Sequence, residues 1–256
     1  MAGSIQAATV ESKGHKITTN AQAGAEVKHL FRFRVIARII GSTVAFAFLL
    51  FGPAGTWRWW RGWVIVGSVL FGILGMIIGL RKTRSGLLEE RFKPAIQKGQ
   101  PLADRILLLS FLATWFGLLA FTAADVFHLH LLSKPGILIS SLGLVLVGAG
   151  SWIQYRAFMD NAFAAVVVRH QAERMQTVVD TGVYAVVRHP MYAGGIVLMI
   201  GTPLWLESYA AALASVIPST ILVLRILFEE RFLRRELNGY EEYTQRVRYR
   251  LLPHVW

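Results

Sequence analysis

Apolar residues gather into runs at Ile36 to Phe51, Gly62 to Leu80, Ile106 to Ala124, Gly136 to Ile153, Tyr192 to Leu206 and Ala210 to Leu227, each closed by a polar or basic stretch. Several approach the roughly 20 residues that a helix needs to cross the hydrocarbon core of a bilayer. The second, third, fourth and sixth runs are the clear spans. Arg38 shortens the first, and the fifth holds only about 15 residues with Pro203 inside, so a tilted or partly re-entrant helix is expected there. The pattern predicts an all-α, polytopic transmembrane protein with about five or six spans.

Composition agrees, with 54% hydrophobic and 16% charged residues in 256. The net charge of +12 changes the picture through its distribution. Most Lys and Arg lie before Arg34, in the Arg81 to Arg105 loop, in the Tyr155 to Met191 loop and after Glu229, while the alternate loops hold Arg58, Arg61 and Lys134. The basic segments, and with them both termini, are therefore expected to face the cytoplasm. An anionic leaflet accounts for the charge, and no nucleic-acid partner is called for. The chain has no cysteine, which removes disulfides, thiolate catalysis and cysteine metal sites. Three regions are expected: a mobile cytoplasmic tail over 1–30, N-terminal transmembrane helices over 31–154, and a second half over 155–256 in which polar segments alternate with apolar ones.

Chemistry is expected in that second half. In Thr181-Gly-Val-Tyr-Ala-Val-Val-Arg-His-Pro-Met-Tyr-Ala-Gly-Gly195, Pro190 pushes His189 out of the helical region and starts a helix whose first amides lack internal partners. Beside Arg188 and His189, those amides suit a carboxylate or phosphate. A Pro-started helix with a basic interfacial anchor has the same pattern. Arg225 and Glu229 stand four residues apart, on one helical face, at the edge of a span where ionisable groups are costly. Arg225 suits an anionic substrate group and Glu229 a cationic one. Gly75 and Gly79 form a small-residue stripe expected to pack a neighbouring helix. The Arg81 to Arg105 loop suits an interfacial helix on which Glu89 and Glu90 do not face each other. The Tyr- and Arg-rich tail after Leu237 is expected to lie among lipid headgroups. His128 and His130 lack a third ligand nearby, so no metal site is assigned. Neither G-x-G-x-x-G nor a phosphate-binding Gly-Lys-Ser/Thr occurs, so the fold is not expected to be Rossmann.

Gly182-Val-Tyr184 with Arg188-His-Pro-Met-Tyr192, Arg225 with Glu229-Glu-Arg-Phe-Leu233, and Gly239-Tyr-Glu-Glu-Tyr243 leading to Arg250-Leu-Leu-Pro253 together resemble the isoprenylcysteine carboxyl methyltransferase family, within the wider group of phospholipid methyltransferases. Asn161-Ala-Phe163 and Leu87-Leu-Glu-Glu-Arg91 add weaker agreement. The resemblance implies a membrane-embedded methyltransferase that uses S-adenosyl-L-methionine on the cytoplasmic side and a lipidic or prenylated acceptor. It implies that Gln176, Thr177, Val178, Val179, Tyr184, His189, Pro190, Met191, Tyr192 and Glu229 enclose the cofactor and that Arg225 serves the substrate. Gln176 departs from the His of the eukaryotic members, which leaves backbone contacts at that position.

The implied chemistry suits the residues. Methyl transfer from a sulfonium asks for alignment, exclusion of water and charge balance, and a carboxylate acceptor needs no strong base. The expected reaction is O-methylation of an isoprenylcysteine or similar carboxylate. The alternatives are a phospholipid or amine N-methyltransferase, with His189 or Glu230 as base, and a non-enzymatic transporter or assembly protein. A transporter would carry ionisable residues at mid-membrane depth in matched halves.

Overall fold

The computed structural model describes residues 36–83, 96–97, 99–163 and 176–256. Among them the structure is helical with no strand. The helices are α1 (Ile36–Ala54), then α2 (Trp60–Thr83), α3 (Leu102–Ala124, running into a π-helical turn at Asp125–Leu129), α4 (Ile137–Asp160), α5 (Pro190–Trp205), α6 (Tyr209–Ala214), α7 (Val216–Glu236) and α8 (Tyr240–Arg246). Five stretches are long and apolar enough to cross a membrane: Ile36–Ala54, Trp60–Gly79, Leu102–Leu129, Ile137–Asp160 and Tyr209–Glu236. Large side chains on them point outward, Leu138 82% and Phe71 79% exposed, as helices bounded by lipid require. The fold is that of an integral, multi-pass membrane protein. The fifth apolar run forms the 16-residue α5 with Pro203 inside, short as its sequence suggested.

The chain divides into two compact units, Met1–Ala45 and Phe46–Trp256. In the first, Ser42 returns its hydroxyl to the Ile39 carbonyl. The second carries all that follows. The expected tail over 1–30, the Leu87 to Arg91 block and the Glu89–Glu90 pair lie outside the described residues.

α4 and α5 make the most extensive helix contact, and glycine sets its distance. A Cβ at Gly150 would stand 2.7 Å from the Gly194 carbonyl oxygen, and one at Gly201 would stand 2.9 Å from the Gly143 carbonyl oxygen. Gly143 and Gly150, like Gly194 and Gly201, are seven residues apart, two helical turns on one face, so two glycine stripes meet along the crossing. Of the stripe expected on α2, Gly79 lies against Met159 and Tyr155, whereas Gly75 has open space.

At one end of the bundle, loop polar groups tie helices together. Arg61 Nη1 donates to the Trp205 carbonyl (2.7 Å), Trp205 Nε1 donates back to the Arg61 carbonyl (3.1 Å), and Arg61 pairs with Glu207 (3.1 Å). Ser208 donates to Asp125 (2.6 Å) while capping α6 through the Ala211 amide. His128, on this surface, meets the Pro53 carbonyl at 2.9 Å. The opposite end gathers the start of α3, the end of α4, the start of α5, the end of α7 and the tail.

Candidate active site

Pro190 opens α5, and His189 before it has φ −123° and ψ 58°, outside the helical region as an X-Pro position demands. The His189 carbonyl accepts the Ala193 amide at 3.0 Å. Since Pro190 has no N–H, the amides of Met191 and Tyr192 are the helix-start donors without an intrahelical acceptor. Loop 176–189 reaches this point by way of Gly182, whose φ is 60° and whose place a Cβ would contest with the Asp160 carboxylate. That carboxylate accepts the Val183 amide (3.0 Å) and pairs with Arg156 (3.1 Å), fixing the loop to the end of α4.

Two adjacent carboxylates of α7 divide the polar end between them. Glu230 is 3% exposed; its Oε1 accepts from Arg188 Nε (2.7 Å) and lies 3.3 Å from His189 Nε2, while its Oε2 accepts from Arg250 Nε (2.9 Å). Arg188 also donates through Nη1 to the Val247 and Arg248 carbonyls (2.7 and 2.8 Å). The backbone amides of Arg188 and His189 donate to the Tyr249 and Arg250 carbonyls, each at 2.9 Å. The tail is thus strapped across the Arg-His-Pro segment.

Glu229 is half-buried and accepts the Tyr192 hydroxyl at 2.5 Å. The Arg225 guanidinium lies 5.8 Å from the Tyr192 ring centre, and the His189 and Tyr192 rings are 5.6 Å apart. Arg225 itself donates through Nε to Asp104 Oδ1 (2.9 Å), and Gln100 Nε2 donates to Asp104 Oδ2 (2.7 Å). Sequence reasoning missed Asp104 and Gln100, which come from α3 and the turn before it.

His189, Pro190, Met191, Tyr192, Arg225 and Glu229 therefore come together where α5 begins and α7 ends. Tyr184 joins through the tail: it is buried, and its carbonyl accepts the Tyr243 hydroxyl at 2.8 Å. Val178 packs on the cluster of Leu237, Tyr240, Tyr243 and Val247. Gln176 and Val179 are half-buried, and Thr177 is exposed. The tail differs from its expectation. Tyr240 and Tyr243 are buried inside the protein rather than set among headgroups, because the left-handed turn at Gly239 (φ 81°) folds α8 back on the loop. Burial pushes both phenols well above their ordinary range, with the carboxylate of Glu230 adding to the effect on Tyr240 and Tyr184 to that on Tyr243.

Beneath this layer an apolar cavity of about 520 Å³ opens between α2, α3, α4 and α5. Ile73, Phe111, Trp115 and Leu198 line it, and Ser68, Ser151, Gln154, Tyr155 and Thr202 add polar atoms to its wall. Gly195, also on its wall, is one turn beyond Tyr192. Among the described residues no group of three or more His, Asp or Glu is placed to hold a metal. The half-buried Glu229 carboxylate, the two aromatic rings and the two helix-start amides suit a ligand with a cationic centre and a carboxylate.

The family model described as phospholipid methyltransferase matches residues 138–238. Protein-S-isoprenylcysteine O-methyltransferase B of Arabidopsis thaliana is 30% identical over 112 residues, which are 43% of this chain and 57% of that protein. A probable protein-S-isoprenylcysteine O-methyltransferase of Oryza sativa subsp. indica is 32% identical over 112 residues, 43% of this chain and 59% of its own. The match thus spans somewhat over half the length of these relatives. The structure of a eukaryotic intramembrane Ras methyltransferase, isoprenylcysteine carboxyl methyltransferase, aligns with 87% of this chain and 86% of its own at 20% identity and a TM-score of 0.43. The matched residues include α5 and α7, which supply Tyr192, Arg225 and Glu229, so over this segment the chain is similar to the phospholipid methyltransferase family and to the isoprenylcysteine O-methyltransferases.

Proposed function

We propose that this protein is an integral-membrane methyltransferase that uses S-adenosyl-L-methionine to O-methylate the carboxylate of an isoprenylcysteine or a similar lipidic acceptor. The observation that carries the reading is the meeting of Tyr192, Glu229 and Arg225 at one end of a bundle whose interior holds an apolar cavity. Its volume is within the range of small-molecule sites and suits the acceptor's lipid tail. When bound, S-adenosyl-L-methionine supplies a sulfonium methyl group, so that an O–C bond forms at the acceptor as the C–S bond breaks and its electron pair returns to sulfur.

The protein's part is placement and charge. Met191 and Tyr192 amides hold the cofactor's carboxylate at the start of α5. Glu229, oriented by the Tyr192 hydroxyl, faces the cationic region, and the rings of Tyr192 and His189 shield it from water. Backbone of Gln176 to Val179, Tyr184 and Pro190 close the remaining sides. Arg225 holds the acceptor carboxylate, which is ionised at neutral pH and attacks without a base. The basic segments at this end support a cytoplasmic location for the site.

Purified protein should bind S-adenosylhomocysteine in a calorimetric titration and transfer labelled methyl groups to a prenylated cysteine. Arg225→Lys should keep that affinity nearly intact while lowering turnover on the order of tenfold, since a point-charge ammonium does not copy the planar fork. No heat with S-adenosylhomocysteine, or wild-type turnover in Arg225→Lys, refutes the cofactor or the clamp respectively.

A further inference from the structure

Asp104 lies in the first turn of α3, fully buried, where an unpaired carboxylate would be costly. Both of its oxygens are engaged: Oδ1 by Arg225 Nε at 2.9 Å and Oδ2 by Gln100 Nε2 at 2.7 Å. Gln100 is itself buried, and its Oε1 accepts the Gln97 amide at 3.3 Å. A chain of hydrogen bonds thus runs from backbone through Gln100 and Asp104 to the one arginine assigned to the acceptor. It joins α3 to α7 across 121 positions of sequence.

We infer that Asp104, held by Gln100, is a positioning and specificity-determining residue that sets the plane of the Arg225 guanidinium and offsets its charge, so that the acceptor carboxylate is held by geometry and stays nucleophilic. This rests on the carboxylate-acceptor reading above. The physical reason is the low dielectric of the site. There, a guanidinium without a counter-charge binds the fully charged ground-state carboxylate more tightly than the transition state, in which that charge is passing into the new bond, so binding tightens while the chemical step slows. With Asp104 bonded to one edge, the pair approaches neutrality and discrimination passes to the fork's direction. Asp104 touches neither reacting atom; it acts through Arg225.

The experiment uses the full chain in detergent and two probes, an N-acetylated S-farnesylated cysteine and its primary carboxamide. Binding of each is measured by titration, and turnover of the acid is measured with S-adenosyl-L-methionine. Asp104→Asn should raise the acid-to-amide affinity ratio at least fivefold and lower kcat about tenfold, so that KM and kcat fall together. Asp104→Glu should bring the ratio back toward the wild-type value. An unmoved ratio in Asp104→Asn, with kcat and thermal stability declining in parallel, overturns the inference and leaves Asp104 as a structural partner of Arg225. If Asp104→Asn does not fold, Gln100→Ala decides: the charge is kept and the alignment loosened, so turnover should fall two- to fourfold with the ratio unmoved, and wild-type turnover overturns the positioning role. Wild-type protein that binds neither probe defeats the carboxylate-acceptor reading itself, whereas wild-type binding with an unmoved ratio defeats the role of Asp104 alone.

Discussion

Glu229 and Glu230 are neighbours on α7, yet they face two different regions. About 100° of helix rotation separates them. Glu230 turns toward the loop and tail, where Arg188, His189 and Arg250 close around it with the side chain 4% exposed. Glu229 turns toward α5, half-buried, against the Tyr192 hydroxyl. The difference in burial and partners separates a carboxylate that holds the fold from one that, in the function proposed above, meets a ligand. A buried carboxylate serving three nitrogen-bearing side chains is an assembly point. A half-buried one near the end of α7, facing the start of α5 and two aromatic rings, can exchange or add partners at little structural cost.

The largest effect is expected from breaking the assembly point. Glu230→Gln keeps the shape but removes the charge, and its amide N–H₂ would oppose the donors that the carboxylate accepted. Arg188 would then sit buried without its counter-ion, a loss of about 3–5 kcal/mol on the pattern of broken buried pairs. Thermal unfolding in detergent should show a large drop. Proteolysis beyond Val247 should accelerate, because Arg188 also holds the Val247 and Arg248 carbonyls. Wild-type stability with an intact tail would contradict the division drawn between the two carboxylates.

Glu229→Gln sharpens the same contrast from the other side. The fold should be retained, since the amide oxygen still accepts the Tyr192 hydroxyl. Affinity for S-adenosyl-L-methionine should drop about tenfold, or ~1.4 kcal/mol, through loss of the charge that balances its cationic centre. Titration and a melting curve on the same sample separate the two. Unchanged affinity together with a collapsed melting temperature would make Glu229 a second structural carboxylate and remove it from the site.

Much of this was legible in the chain, and the losses have physical causes. Long apolar runs announce the helices because a bilayer leaves backbone groups nowhere else to bond. Pro190 announces the start of α5 because it fixes its own φ and restrains His189. Arg225 and Glu229 stand out as charges at the edge of an apolar run. Asp104 did not, because an acid in the first turn of a helix is ordinary and its partner is remote in sequence. The glycine seam had a visible signal, pairs seven residues apart at Gly143 and Gly150 and at Gly194 and Gly201, but nothing in one helix says which other helix meets it. The tail misled because tyrosines beside arginines suit headgroups as well as a folded interior. Only the turn at Gly239 and the Glu230 knot decide between the two.

Tyr243 offers the smallest break, at the edge of the Glu230 region. Its ring is 2% exposed, and its hydroxyl donates to the Tyr184 carbonyl at 2.8 Å, tying α8 to the loop that precedes Pro190. Tyr243→Phe removes that hydrogen bond and leaves a buried carbonyl with one partner fewer, a cost of about 1 kcal/mol at neutral pH. The pH dependence carries a sign of its own. Burial raises the phenol's pKa in the folded protein, so the folded state keeps a proton that the unfolded chain begins to release near pH ~10. The stabilisation linked to Tyr243 is therefore fully present below about pH 10 and declines as pH rises from there toward the folded value. Phenylalanine has no proton to lose, although Tyr240, also raised, still contributes its share in both proteins. The stability gap between wild type and Tyr243→Phe should consequently be constant up to about pH 10 and then narrow. Unfolding measured from pH 7 to 11 tests this, and a gap that stays constant across the range would mean that the Tyr243 phenol is not held in the buried, protonated form that ties the tail to the site.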